Sequence, residues 1–299
     1  MTQKPFFRLS ASDQIFHIIL FVVMAGVLLI TLFPFLNVIA ISFNDSADTA
    51  RGGVGIWPRA WTLDNFRQLA RFPAMWTGLY ISIARTVIGT ATGLFCTAML
   101  AYVISRKEFM FRKAITTMFI LTMYVSGGLI PHFMVIRMFG LNNSFWVYIV
   151  PSLISAWNLI IIRSFIDALP YSLQESAFLD GANDLVIFFK IILPLCLPVL
   201  MTVALFIAVF QWNSWFDTYL FAPFNERITT LQFELMKILE GAATGGQMGD
   251  AATITMAHNV SPLSLRMAAT VVTMMPMLLA YPFVQRFFVS GMTLGAVKE

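Results

Sequence analysis

The chain has 299 residues, 59% of them hydrophobic and 11% charged, with a mean hydropathy of +0.79 and a formal net charge of +4. A soluble domain carries about 25% charged residues, so a chain this apolar cannot cover itself in water and reads as an all-α, polytopic membrane protein. Its basic residues form no basic face with interleaved aromatics, which argues against nucleic acid.

The first apolar stretch, 15–41, follows Lys4 and Arg8. It exceeds the 7–15 residues of a signal h-region and reads as a retained span. About 20 apolar residues cross a bilayer, and five further segments qualify: 75–104, 114–138, 145–165, 191–216 and 265–288. The connectors are 44–74, long and polar; 106–113, reading RKEFMFRK; 139–144, a tight turn; 167–190, with acids and a glycine; and 217–264, with the Gly-rich GAATGGQMGD. Six spans put both termini on one side. Basic residues favour the cytoplasm, and the short 106–113 connector carries that bias, placing both termini there. Arg51, Arg59, Arg67 and Arg71 in the opposite connector count against it.

Prolines recur at Pro34, Pro131, Pro151, Pro194, Pro198, Pro276 and Pro282. Each is either a hinge or the ordinary proline of membrane helices. Gly89 and Gly93 have GxxxG spacing, which lets two backbones approach closely, within this chain or against another. Arg85 is the one unambiguous charge inside a span, and either lines an outward cavity or snorkels. Gln211, Trp212, Asn213, Trp215 and Asp217 form either an interfacial aromatic belt or the mouth of a translocation path. Cys96 and Cys196 lie in apolar runs without metal-ligand spacing, and read as buried thiols. His132 reads as a packing histidine, since no ligand set accompanies it.

The segment 170–194 reads PYSLQESAFLDGANDLVIFFKIILP. Ser172 and Glu175 have capping-box spacing, with Ser172 as N-cap and Glu175 at N3. Gly181 suits the left-handed position that ends a helix. Asn183 or Asp184 can cap a second short helix leading into the fifth span. The expected product is a helix–turn–helix on the cytoplasmic face that shows Ala177, Phe178 and Ala182 to a partner or to lipid.

This segment resembles the EAA signature of ABC importer permeases, Glu-Ala-Ala-x3-Gly-x9-Ile-x-Leu-Pro. Here it reads Glu175, Ser176, Ala177, Gly181, Ile191, Leu193 and Pro194, with Ser176 as the single departure. The stretches WTLDNF (61–66), AYVISR (101–106), SGGLIPHFMVI (126–136), QWNSWF (211–216) and the ending FFVSGMTLGAVKE extend the resemblance to the MalG-like half of carbohydrate importers. The versions at 126–131 and 212–216 look most like the LplC/YtcP-type branch, associated with complex and often acidic oligosaccharides.

The resemblance implies a type I importer (MetI-like) fold, with 1–299 as one transmembrane permease domain in the bacterial inner membrane. It implies that Glu175, Ser176, Ala177, Phe178, Asp180, Gly181 and Ala182 dock on a separate ATPase dimer. Arg85, Gln211, Trp212, Asn213 and Trp215 become candidates for the translocation path. Gly291, Gly295 and Lys298, in a cytoplasmic tail over 289–299, would reach the ATPase. The other implied partners are a second, homologous permease, an extracytoplasmic binding protein facing 217–264, membrane lipid and a sugar or oligosaccharide. No GxxxxGK[ST] occurs, so the chain is expected to be non-catalytic and to hold no cofactor, with ATP and Mg bound by the ATPase. The competing reading, an ion-coupled secondary transporter, calls for internal repeats and intramembrane acids, and neither is visible.

Overall fold

A backbone shielded from water must satisfy its own polar groups, and this chain does so with helices. The computed structural model describes residues 11–243 and 261–296. In chain order the α-helices are α1 (Ala11–Ser42), α2 (Ser46–Ala50), α3 (Asp64–Ala70), α4 (Pro73–Ser105), α5 (Arg112–Tyr124), α6 (Leu129–Met138), α7 (Ala156–Asp167), α8 (Ser172–Leu179), α9 (Asp184–Ile187), α10 (Leu193–Leu195), α11 (Leu197–Asn213), α12 (Phe216–Phe221), α13 (Leu231–Ala243) and α14 (Pro262–Ala296). Two 3-10 turns, Phe145–Tyr148 and Val150–Ser152, precede α7, and a π-turn, Phe188–Ile192, joins α9 to α10. Among the described residues there is no strand, only one antiparallel bridge between Asn44 and Trp61.

Three described helices are each long and apolar enough to cross a bilayer: Ser12–Ser42, Pro73–Ser105 and Pro262–Leu279. Two bent pairs, each taken as one span, bring the number to five. The expected span 114–138 is interrupted: α5 ends at Tyr124 and α6 begins at Leu129, around Gly127 and Gly128. The expected span 145–165 bends by 46° after its 3-10 turns, which contain Pro151. The expected span 191–216 is broken more sharply, with Asp184–Leu195 and Leu197–Asn213 meeting at 82°. Pro198, at the start of α11, lacks the amide that would continue the helix across Cys196. The expected tail from 289 continues α14 as far as Ala296, so Gly291 and Gly295 are helical. Lys298 and most of the Gly-rich stretch lie outside the described residues.

The chain divides into two compact units. One runs to Arg71 and takes in Ile238–Val272. Within it the connector after α1 is tightly built. Buried Asn44 donates to Asp48 (2.9 Å) and Thr49 (3.0 Å), and accepts from the backbone of Arg59 and Ala60. The Asn44 amide, with Arg59 beside it, holds the Asp48 carboxyl below the usual carboxylate range. Two of the four connector arginines are therefore occupied locally, Arg59 by Asp48 and Arg67 by Asp64.

The other unit comprises Phe72–Lys237 and the chain from Thr273 onward. Its core lies where α4 packs against α7 and α11, with Ala98, Ala101, Leu159, Ile162, Val203 and Ile207 buried together. The small residues of α4 set the approach. A Cβ on Gly89 would come within 2.7 Å of the Gln211 side chain, and one on Gly93 within 3.4 Å of the Leu153 carbonyl. The GxxxG pair therefore packs inside this chain.

Candidate functional site

The motif segment folds as an elbow. Helix α8 begins at Ser172 without a side-chain cap, so the expected capping box does not form. Tyr171 already has helical dihedrals, and the Pro170 and Tyr171 carbonyls accept the amides of Leu173, Gln174 and Glu175, leaving the box little to do. The C-terminal end forms as expected. Gly181 sits at φ +79°, its amide bonds to the Phe178 carbonyl, and the Ala182 amide bonds to the Ala177 carbonyl. That is the Schellman pattern, whose left-handed position strains any residue with a Cβ. Asn183 then caps α9, its side-chain oxygen accepting the Val186 amide at 2.9 Å.

The face expected to be exposed is partly reversed. Ala177 is buried and Ala182 half-buried, both packed on the core with Ile187 and Phe188. Gln174 and Ala177 are three residues apart and share the inward face of α8, where a small side chain lets the helix lie close. The outward face carries Glu175, Ser176, Asp180 and Leu179, the last 89% exposed. Phe178 remains exposed at one edge.

Arg106, at the C-cap of α4, fastens the elbow from behind. Its guanidinium donates to the Gln174 side chain on α8 and lies 4.7 Å from the Phe178 ring centroid. It approaches Asp184 on α9 at 3.6 Å and Glu108 at 3.5 Å. Tyr102, one turn earlier on α4, donates to Asp184 at 3.1 Å. Tyr171 donates to Glu108, and the Lys107 ammonium lies 4.4 Å over the Tyr171 ring. The Tyr171 hydrogen bond holds the Glu108 carboxyl below its usual range, and the same bond raises the Tyr171 hydroxyl. Sequence reasoning named Phe178 and Asp184 for other roles and paired neither with Arg106, although RKEFMFRK carried the charges.

The second constellation surrounds Arg85, also on α4. Its side chain is 1% exposed, so it neither faces a cavity nor snorkels. The guanidinium meets both Asp217 oxygens (2.5 and 3.2 Å), the Gln211 amide oxygen (2.9 and 3.1 Å) and the Ser214 carbonyl (3.3 Å). It lies 4.5 Å over the Tyr148 ring. Gln211 in turn donates to the Tyr148 carbonyl (3.2 Å) and the Ser152 hydroxyl (3.0 Å). A buried arginine needs such a set, because an unpaired charge would be costly to desolvate. Of the expected path residues, Arg85, Gln211 and Trp212 are thus buried among this chain's own helices, Trp212 donating to the Thr273 carbonyl at 3.1 Å. Asn213 is exposed and Trp215 half-buried.

The described residues contain no cluster of three or more His, Cys, Asp or Glu able to hold a metal ion. Cys196 is buried and Cys96 half-buried, and both are free thiols.

Residues 89–294 match the family of the binding-protein-dependent transport system inner membrane component. The polygalacturonan/rhamnogalacturonan transport system permease protein YtcP of Bacillus subtilis (strain 168) is 36% identical over 286 residues, covering 96% of this chain and 99% of that protein. Protein LplC of the same strain is 35% identical over 290 residues, covering 97% of each. Among solved structures, a bacterial ABC transporter involved in the import of the acidic polysaccharide alginate has a chain that superimposes with a TM-score of 0.86, at 26% identity, over 95% of this chain and 100% of that one. With the motif elbow in place and this similarity running nearly end to end, the chain belongs to the binding-protein-dependent transport system inner membrane component family, the permeases of ABC importers, and has the MetI-like fold.

Proposed function

We propose that the chain is one of two homologous, non-identical permease subunits of an ATP-driven oligosaccharide importer, coupled through the α8–α9 elbow to a separate ATPase dimer. The observation that carries this is the elbow itself. Its Gly181-terminated helix turns Glu175, Ser176, Leu179 and Asp180 outward while Gln174 and Ala177 anchor it to the bundle. An exposed Leu179 flanked by carboxylates on a rigid turn suits a groove on another protein. The positive residues at 106–113 favour a cytoplasmic elbow and cytoplasmic termini. The ATPase supplies nucleotide and Mg, and this chain supplies half of the path. Gly291, Gly295 and Lys298 are the tail positions offered to the ATPase. On the outer side an extracytoplasmic binding protein delivers the sugar, and Asn213 and Trp215 remain available to line the path.

The acidic polysaccharides named for YtcP and for the alginate transporter support an acidic, uronate-type substrate here. Reconstitution with the partner subunits tests the reading. Uptake of an oligogalacturonide should require ATP, and Glu175→Lys or Gly181→Pro should leave the complex assembled while hydrolysis no longer drives uptake. Uptake powered by an ion gradient without ATP would overturn it.

A further inference from the structure

Helix α4 is unlike the other candidate spans in one respect. Pro34 lies inside α1, Pro276 and Pro282 inside α14, Pro151 within the bent pair before α7, and Pro194 and Pro198 within the pair that turns through 82°. In α4 the single proline is Pro73, at the first helical position, where its missing amide costs nothing. The remaining 32 of its 33 residues run to Ser105 without a break. One arginine in the N-terminal half of α4 and one at its C-cap reach out to other elements. Arg85 is tied to α11 and α12, and Arg106 to α8 and α9. The two lie about 30 Å apart at 1.5 Å per residue.

The two attachments differ in kind. Arg85 is locked by two-point contact with one carboxylate. Arg106 divides its charge between carboxylates at 3.5 and 3.6 Å, one side-chain amide and two ring faces, Phe178 at 4.7 Å and Tyr102 at 5.7 Å. A cation shared in this way can shift among its partners without ever being unpaired.

From this geometry we infer that Arg106 is the positioning residue that transmits elbow motion into α4, and that α4 acts as a stiff strut carrying it to the Arg85 cluster. The inference rests on the proposed role of the elbow. Arg106 need not touch ATPase or sugar: it joins the lever to the rod. Its planar fork and its stacking on Phe178 are the features a lysine cannot reproduce.

The test uses the complete reconstituted transporter, with Cys96 and Cys196 replaced by Ala and Tyr80→Cys as a reporter. Tyr80 lies on α4 beyond Arg85 and is 71% exposed. In the parent, trapping the ATPase with ATP and vanadate should change the rate at which a charged thiol reagent modifies position 80. Arg106→Gln should abolish that change and cut sugar uptake per ATP hydrolysed by about tenfold, within the range of coupling that single residues carry. Arg106→Lys should recover part of both, and Phe178→Leu should lose part of both. A local packing defect would lower assembly or basal hydrolysis and leave the nucleotide response of position 80 in place. Normal uptake per ATP and a normal response at position 80 in assembled Arg106→Gln would overturn the inference. Should Arg106→Gln fail to assemble, normal values in both Arg106→Lys and Phe178→Leu would do the same. A parent that imports no sugar with ATP would sink the proposed function instead, and the nucleotide response of position 80 would still judge Arg106.

Discussion

Arg85 on α4 and Arg106 at its C-cap solve the same problem in opposite ways. Arg85 is buried, and its guanidinium nitrogens share five contacts with one carboxylate, one amide and one carbonyl. Arg106 is 11% exposed and spread over several groups, with a close hydrogen bond to Gln174 and longer contacts to its two carboxylates, at 3.5 and 3.6 Å. The comparison teaches that burial decides the type of bond. A charge cut off from water needs a fixed and complete partner set, because any vacancy costs its desolvation energy. A charge at the rim can accept incomplete partners, since water fills the gaps. The first arrangement makes a clamp and the second makes a joint.

The sharpest way to break this contrast is Asp217→Ala. It leaves Arg85 buried without its counter-charge and should destabilise the permease by about 3–5 kcal/mol, read as a lower thermal midpoint in detergent. A loss no larger than that of a surface pair would refute the clamp. Next comes Gly89→Ala, whose new Cβ would meet the Gln211 side chain at 2.7 Å. Prying Gln211 away from Arg85 should cost about 1–3 kcal/mol, by the same measurement. Gly181→Ala acts on the joint side. A Cβ at φ +79° should cost about 1–2 kcal/mol locally, seen as faster hydrogen exchange at the Gly181 and Ala182 amides with an unchanged global midpoint.

Smaller still is the acid response of the joint. The Tyr171 hydroxyl lowers the Glu108 carboxyl, so the favourable contribution of that bond is fully present above the unfolded glutamate value of about 4.3. It fades only as pH falls through the lower folded value. The protection factors of the 171–176 amides, corrected for the intrinsic pH dependence of exchange, should therefore hold from neutral pH down to about that value and fall below it. The smallest effect is expected from Arg67→Ala, which removes an exposed pair with Asp64 and should leave the thermal midpoint unchanged. A shift there would mean that exposure is a poor guide to the worth of these charges.

Much of the elbow was legible in advance. Gly181 ends its helix in the left-handed conformation, and Asn183 caps the next, because both are decided by residues within five positions of each other. The expected capping box at Ser172 does not form, for a local reason as well: Pro170 and Tyr171 already begin the turn. The orientation of α8 was not legible. A period of 3.6 identifies a face but not which neighbour it meets, so Ala177 turned inward and Leu179 outward. Of the cluster at the end of the fifth span, Gln211 and Trp212 are buried, while Asn213 alone is fully turned out.

The sequence by itself determined that this chain is helical and apolar enough for a bilayer, and where its signature elbow falls. Those properties follow from composition, from proline and glycine positions and from short-range spacing. Only the tertiary structure decided what Arg85 and Arg106 hold. Gln211 and Asp217 stand 126 and 132 residues from Arg85, and Gln174 stands 68 from Arg106. Contacts at that range are chosen by which helices pack together and how closely their small residues let them approach, and no local pattern encodes that choice.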